Sequence, residues 1–378
     1  MRILVLCDQN IRGFNLTDGV GEVTAGFTAA LRRYHQVTLA DVSIGKLEFR
    51  LQTLLYQLRT GKHKFKSVGS MHIDRFNYWT YVRRSKIAHM ITRQLANSVD
   101  VVFQMFWRYA PFVGHPLRPY VIYTDTTGCL CLRASDRGFN ATEVRRIQQS
   151  ERVVYQSAAR VFTYNSRIRK SLLKDYDVDP EKVVAVGVGV GLEPLPAGRI
   201  KRYDDKRMVF VGRDSAFETK GVPTLLRAFE LVKARIKDAE LILVGIGKER
   251  AITQAGVTVL GTIHDRQRVG QVLEEASLFV LPSIQDESPG VIREAMIKRL
   301  PCVATAVGGI PEMVLDGETG RLVPPKDPEY LAKVLIELLE NEDELRRLGD
   351  QGGRRALELY TWDGVISRIN EHLEQIAV

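Results

Sequence analysis

Short runs of consecutive apolar residues alternate along this chain with longer segments in which apolar positions recur every three or four residues. "RILVLC" at 2–7 leads into the helical pattern "EVTAGFTAALRRY" and then "QVTLADV"; "VDVVFQMF", "PYVIYTD" and "AARVFTYN" continue the series. Apolar runs of four to eight residues bounded by polar turns read as strands buried on both faces, and their alternation with helical periodicity predicts a parallel sheet covered by helices. Periodicity stops over 187–205, "GVGVGLEPLPAGRIKRYDD", where Gly, Pro and charge are dense, so this stretch reads as an interdomain linker. Beyond it come "RMVFVGR", "GVPTLLRAFELVKARI", "AELILVG", "VTVLG", "DRQRVGQVLEEA", "SLFVLPS", "GVIREAMIKRL", "PCVATAV" and "GRLVPP". The pattern predicts an α/β protein of two Rossmann-like, doubly wound domains facing a cleft, one over 1–188 and one over 205–361. The amphipathic "WDGVISRINEHLEQI" lies within 362–378 and would cap one of them.

A length of 378 residues supports two cores, and 45% hydrophobic with 26% charged residues excludes disordered and fibrous classes. No apolar run approaches the roughly 18 residues of a membrane span, and the opening "MRILVLCDQNIRGF" is too short in apolar length for a signal peptide; the expectation is a cytoplasmic protein. Cys7, Cys129, Cys131 and Cys302 include no CxxC and read as buried or free thiols. The net charge of +9 is concentrated, since Lys46 to Arg93 holds eleven basic and two acidic residues. Within it Leu47, Leu51, Leu54, Leu55 and Leu58 keep helical spacing, and aromatics adjoin basic residues in "FNYWTYVRR". A basic amphipathic helix suits an anionic membrane surface or an acidic substrate, and equally a solvated face.

Two stretches could carry chemistry. In "VFVGRDSAFETKGVPTLL" a strand runs into Gly212 and Arg213, and Lys220 stands where a helix begins, so two cations share a loop at the sheet's carboxyl edge and could clamp a diphosphate. In "SLFVLPSIQDESPGVIREA" Gly290 opens a helix whose amides and dipole favour an anion, Glu294 could accept from a vicinal diol, and Asp286 and Glu287 lie on the preceding loop. Ordinary helix capping is the alternative for each acid. Gly19-Val-Gly21 forms a second glycine loop ahead of the first helix. "DYDVDP" at 175–180 contains an Asp-x-Asp, but its place between a helix and "EKVVAV" favours a capped turn, and no metal site is expected.

In order, "VGRDSAFETKG", "LVGIGKE", "LPS", "DESPGVIREA" and "VGGIPEMVLDGETGRLVPP" resemble the donor domain of the retaining glycosyltransferases of family 4, which have the GT-B fold. The resemblance is dense over the C-terminal half and looser over the N-terminal half. It implies an N-terminal acceptor-binding domain, a C-terminal donor-binding domain and a last helix, 362–378, that crosses back to the first. It also implies sugar transfer from a nucleoside diphosphate sugar, UDP- or GDP-linked, to an acceptor hydroxyl, with retention and without metal or other cofactor. By position Arg213 and Lys220 would neutralise the diphosphate beside Gly212; the Gly19 and Gly21 loop, on its own residues, could approach a phosphate or an acceptor from the opposite wall. Pro289, Gly290 and Val291 would hold phosphate at the helix start, and Glu294 the ribose. The family's first acidic position is usually Glu and here is Asp286, with Glu287 as the alternative sugar-facing acid. Where the family often has a His, "PYVIYTDTTG" offers Asp125 as the catalytic group of the first domain; His115 lies upstream. The acceptor would be a sugar, a lipid-linked or a small molecule, with peripheral membrane contact through 46–94 in the lipid case and no nucleic acid. An epimerase of the same fold and a non-catalytic nucleotide-sugar binding protein remain open alternatives.

Overall fold

The computed structural model describes residues 1–8, 19–45, 48, 78–106, 108–112, 114–133, 141–196 and 198–376. It divides into two compact units, Met1–Gly187 with Val365–Val378, and Val188–Gly364.

The first unit carries β1 (Arg2–Cys7), β2 (Gln36–Asp41), β3 (Val101–Met105), β4 (Tyr120–Thr124), β5 (Arg160–Thr163) and β6 (Val183–Ala185). Among the described residues these form one parallel sheet in the order β2-β1-β3-β4-β5-β6. The central strands are buried along their whole length, which is why they read as unbroken apolar runs. Phe27, from the helix Gly19–Leu31, packs its ring 4.9 Å from that of Phe103 and 5.0 Å from that of Tyr123. That helix begins at Gly19, so Gly19 and Gly21 form its first turn and not a loop ahead of it; the apolar spacing Val20, Val23, Phe27, Leu31 already starts there. The last helix, Trp362–Leu373, joins this unit from Val365 onward: Arg368 donates to the Val186 carbonyl at 3.0 Å, and Asn370 Oδ1 lies 2.8 Å from His35 Nε2.

Most of the basic segment, including the helix expected through Leu47–Leu58, lies outside the described residues. Its end is the helix Tyr78–Leu95, which turns Thr80, Arg84, Ala88 and Thr92 inward. Among the described residues no helix is long and apolar enough to cross a membrane.

The second unit carries β7 (Arg207–Val211), β8 (Glu240–Val244), β9 (Val257–Gly261), β10 (Leu278–Leu281), β11 (Cys302–Thr305) and β12 (Gly320–Val323), parallel in the order β12-β11-β10-β7-β8-β9. The chain winds outward from β7 to β9 and then returns to place β10 on the other side of β7. The loops leaving β7 and β10 therefore flank the point where the winding reverses, the position at which open α/β sheets bind ligands.

The Gly- and Pro-rich stretch read as a linker belongs largely to this second unit and is packed onto it. Leu192, Leu195 and Tyr203 are buried there. Lys201, also buried, donates to the carbonyls of Leu273 at 3.0 Å and Ala276 at 2.5 Å and to that of Glu274, closing the end of the helix Arg266–Glu275. Irregular backbone hides such packing from any periodicity.

Candidate active site

At the reversal point, β7 runs out into Gly212 and Arg213. Arg213 is exposed and its backbone extended, after which Asp214–Ala216 makes one tight turn. Arg250 beside Asp214, 2.5 Å from its carboxylate, and the Gly247 N–H hold that acid below the usual carboxylate range, while the Arg250 guanidinium lies 3.9 Å from the Phe217 ring centre. Lys220 closes the loop and forms an ion pair with Asp286, which comes from the loop after β10. The structure thus brings together the lysine and the acid that the sequence separates by 66 positions.

Backbone contacts lace these loops to their neighbours. Gly221 caps the helix Val222–Arg235 at φ 70°, and a Cβ there would overlap the Pro282 carbonyl oxygen. A Cβ on Gly245, after β8, would overlap the Gly212 carbonyl oxygen, and one on Gly308, after β11, that of Asp286. The Ile284 N–H donates to the Thr219 carbonyl at 2.8 Å, and Thr305 Oγ1 to that of Ser283 at 2.5 Å. Four adjacent loops, from β8, β7, β10 and β11, therefore share one rim.

Pro289 precedes the helix Gly290–Ile297 as its N-cap, and its fixed φ leads the chain into the helix. Gly290 and Val291, half-buried, make the first turn. Glu287 is half-buried on the approach. Glu294 is only 8% exposed, accepts from Arg266 Nη2 at 2.6 Å through Oε1, and keeps Oε2 buried with no partner. A buried carboxylate oxygen without a donor is costly and asks for one from a ligand. Arg266, the first residue of its helix, is a functional neighbour that sequence reasoning missed: nothing local marks it, since its partner lies 28 residues away. Arg293, buried on the same helix as Glu294, was missed too, because a charged residue inside a helix gives no sign in the sequence of its burial.

Asp125 lies in the first unit, half-buried just past the carboxyl end of β4, whereas His115 is exposed ahead of that strand. The loop after Asp125 is held from beneath. Glu151, 1% exposed, accepts from the Gly128 N–H at 2.8 Å and from the Tyr176 hydroxyl, which in turn accepts from the Cys129 N–H at 3.0 Å. Burial pushes the Glu151 carboxyl up to about 8, against the pull of those two hydrogen bonds. Thr127 Oγ1 and Ser171 Oγ are 2.8 Å apart, and Ser171 donates to Asp175 at 2.7 Å. Asp175, Asp177 and Asp179 of "DYDVDP" have local tasks: Asp177 ends a helix at φ 55°, and Asp179 caps the next turn through the Glu181 N–H. At the end of β1, Asp8 pairs with Arg84 at 2.6 Å, both fully packed away from solvent. Among the described residues no three His, Cys, Asp or Glu side chains are grouped to hold a metal ion.

Residues 205–341 match the family described as glycosyl transferases group 1. The second unit is a domain of that family. This glycosyltransferase domain includes the Arg213, Lys220, Asp286 and Glu294 loops, and the resemblance to family 4 read from them holds. The chain is 32% identical over 271 residues to the MMP alpha-(1->4)-mannosyltransferase of Mycolicibacterium hassiacum, covering 68% of this chain and 64% of that protein. It is 34% identical over 179 residues to the phosphatidyl-myo-inositol mannosyltransferase of Mycobacterium leprae, covering 46% of this chain and 47% of that one. The chain thus spans between about half and two thirds of the length of these curated relatives. Among solved structures, sucrose-phosphate synthase from Thermosynechococcus elongatus superposes with a TM-score of 0.72 over 99% of this chain and 98% of its own, at 18% identity. Such a likeness shows the fold, which is of GT-B type.

Proposed function

We propose that the protein is a retaining glycosyltransferase, independent of metal, that moves a sugar from a nucleoside diphosphate sugar to an acceptor hydroxyl. The observation that carries this reading is the buried Glu294 with one unpartnered oxygen, one turn inside the helix that starts at Gly290, within a domain of the glycosyl transferases group 1 family. Glu294 Oε2 suits a ribose diol. The Gly290 and Val291 amides with Arg213 and Lys220 suit the diphosphate, whose growing negative charge they would stabilise as the bond to the sugar breaks. The acceptor oxygen bonds to the same anomeric carbon and its hydroxyl proton is released. Asp286 or Glu287 would contact the transferred sugar, and Asp125 in the first unit the acceptor side.

Both named relatives are mannosyltransferases, so GDP-mannose is the first donor to try, with UDP-glucose beside it. The lipid-named relative supports a lipid-linked acceptor as one class, with a soluble sugar as the other. Thermal denaturation with chelator and UDP, GDP or ADP tests the donor site: a ligand at ~100 times its dissociation constant adds about 2.7 kcal/mol. One nucleoside diphosphate should raise the melting temperature of the wild type and not of Lys220→Ala. Failure of all three to stabilise the wild type refutes the reading. Magnetic resonance of the product then reads the anomeric configuration, and an inverted product refutes retention.

A further inference from the structure

Among the described residues two ion pairs tie the helix Arg266–Glu275 to the helix Gly290–Ile297. At the start of the first helix Arg266 Nη2 donates to Glu294 Oε1 at 2.6 Å. Near its end Glu274 Oε1 accepts from Nζ of Lys298, the cap of the second helix, also at 2.6 Å. The ties run in opposite senses, cation to acid and acid to cation, so a shift of one helix along the other breaks both. Asp265 also caps the first helix through the Gln267 N–H at 2.8 Å, and the buried Lys201 closes its far end. Arg266 therefore reaches Glu294 from a fixed backbone. Its own side chain is 28% exposed, so a methionine there opens no core cavity.

A carboxylate is flat, and one anchored oxygen fixes where the other points. With Oε1 of Glu294 held by a charge-assisted bond, the direction of Oε2 is set, and Oε2 is buried with no hydrogen-bond partner. A site built around such an acceptor rejects a ligand that lacks the matching hydroxyl, because the oxygen then stays dry and unpaired. We propose that Arg266 is the positioning residue of the ribose site: by holding Oε1 it aims Oε2 at a nucleoside hydroxyl and so sets a preference for ribonucleotides over deoxyribonucleotides. This rests on the donor-site reading above, in which Glu294 meets the ribose, and adds to it the residue that makes Glu294 selective.

Calorimetric titration with UDP, GDP and ADP and the 2′-deoxy and 3′-deoxy forms of each, on the wild type, Arg266→Met and Arg266→Lys, decides it. The nucleotide that the wild type binds should lose about tenfold or more in affinity in at least one of its deoxy forms. In Arg266→Met the parent nucleotide should fall to the affinity of that deoxy form, while the deoxy form itself stays within about threefold of its wild-type value. Arg266→Lys, which keeps the charge and loses the fork, should retain part of the preference. A ribose preference undiminished in Arg266→Met overturns the proposal, whether both affinities stay unchanged or fall together; a joint fall would make Arg266 a general support of the domain. A wild type that binds parent and deoxy forms alike overturns it too. Should Arg266→Met not fold, Arg266→Lys decides alone: a reduced preference supports the proposal and a full one overturns it. A wild type that binds none of the three parent nucleotides refutes the donor-site reading itself, a separate outcome seen without any variant.

Discussion

Replacing Glu151 by Gln should stabilise the protein at neutral pH and flatten its dependence on alkali. The carboxyl has been pushed from 4.5 to about 8 by burial, and among the described residues the titratable groups that act on or beside it, Tyr81, Cys129, Tyr155 and Tyr176, with Asp125 and Asp175 near them, include no cation. Because the folded value is raised, the native state holds a proton that the unfolded chain gives up near 4.5. The resulting stability is complete below that pH and is lost as pH rises through 8, in all roughly 5 kcal/mol at about 1.4 kcal/mol for each pH step. Gln matches the neutral acid in shape, still accepts from the Gly128 N–H, and does not titrate. Urea unfolding at a series of pH values from 5 to 9 should show the advantage of Glu151→Gln growing by about 1.4 kcal/mol per pH step up to 8. Parallel profiles would refute the reasoning and mean that Glu151 is ionised at neutral pH, held by its two hydrogen bonds.

Three further outcomes follow from the same physics. Removing Lys220 alone strands the Asp286 carboxylate, so a double-mutant cycle of Lys220→Ala and Asp286→Ala, read by thermal denaturation, should give a coupling of about 1–3 kcal/mol; additivity would contradict the pair. Arg84→Met should cost about 3–5 kcal/mol in urea unfolding by removing the buried ion pair with Asp8, and Asp8→Asn added to it should restore part of the loss. Gly221→Ala, at φ 70° against the Pro282 carbonyl, should lower stability by more than about 1 kcal/mol in calorimetry and weaken nucleoside diphosphate binding, because the loop carrying Lys220 must shift.

Strands such as β7 and β10 were legible because burial on both faces leaves an apolar run with no polar interruption, and the Gly212-Arg213 and Gly290 turns were legible because glycine beside a charged residue or proline breaks the apolar pattern between strand and helix. The start of the first helix was misplaced because Gly19 and Gly21 look like loop residues, while Val20 had already begun the helical stripe. β6, three residues long, offers too little apolar length to register. Glu151, Arg266 and Arg293 were invisible for a common reason. Each is a charged residue inside a helix, indistinguishable in sequence from a solvated one. Its importance depends on which residues the fold brings to its side, and no local pattern carries that information. The basic N-terminal stretch was legible only as charge.

The lacing of four loops through Gly221, Gly245 and Gly308 has a bearing on how such a domain can diversify. Where backbone rests directly on backbone, adding a residue to one loop displaces the next, and the displacement travels across the sheet to strands that have not changed. Loop length at this rim is therefore frozen collectively, and new preferences must come from exchanging side chains carried on the loops, such as Arg213 and Glu287. Chains descended from a common ancestor should keep the spacing from Gly212 to Gly221 and from Pro282 to Gly290 while varying freely in what projects between them.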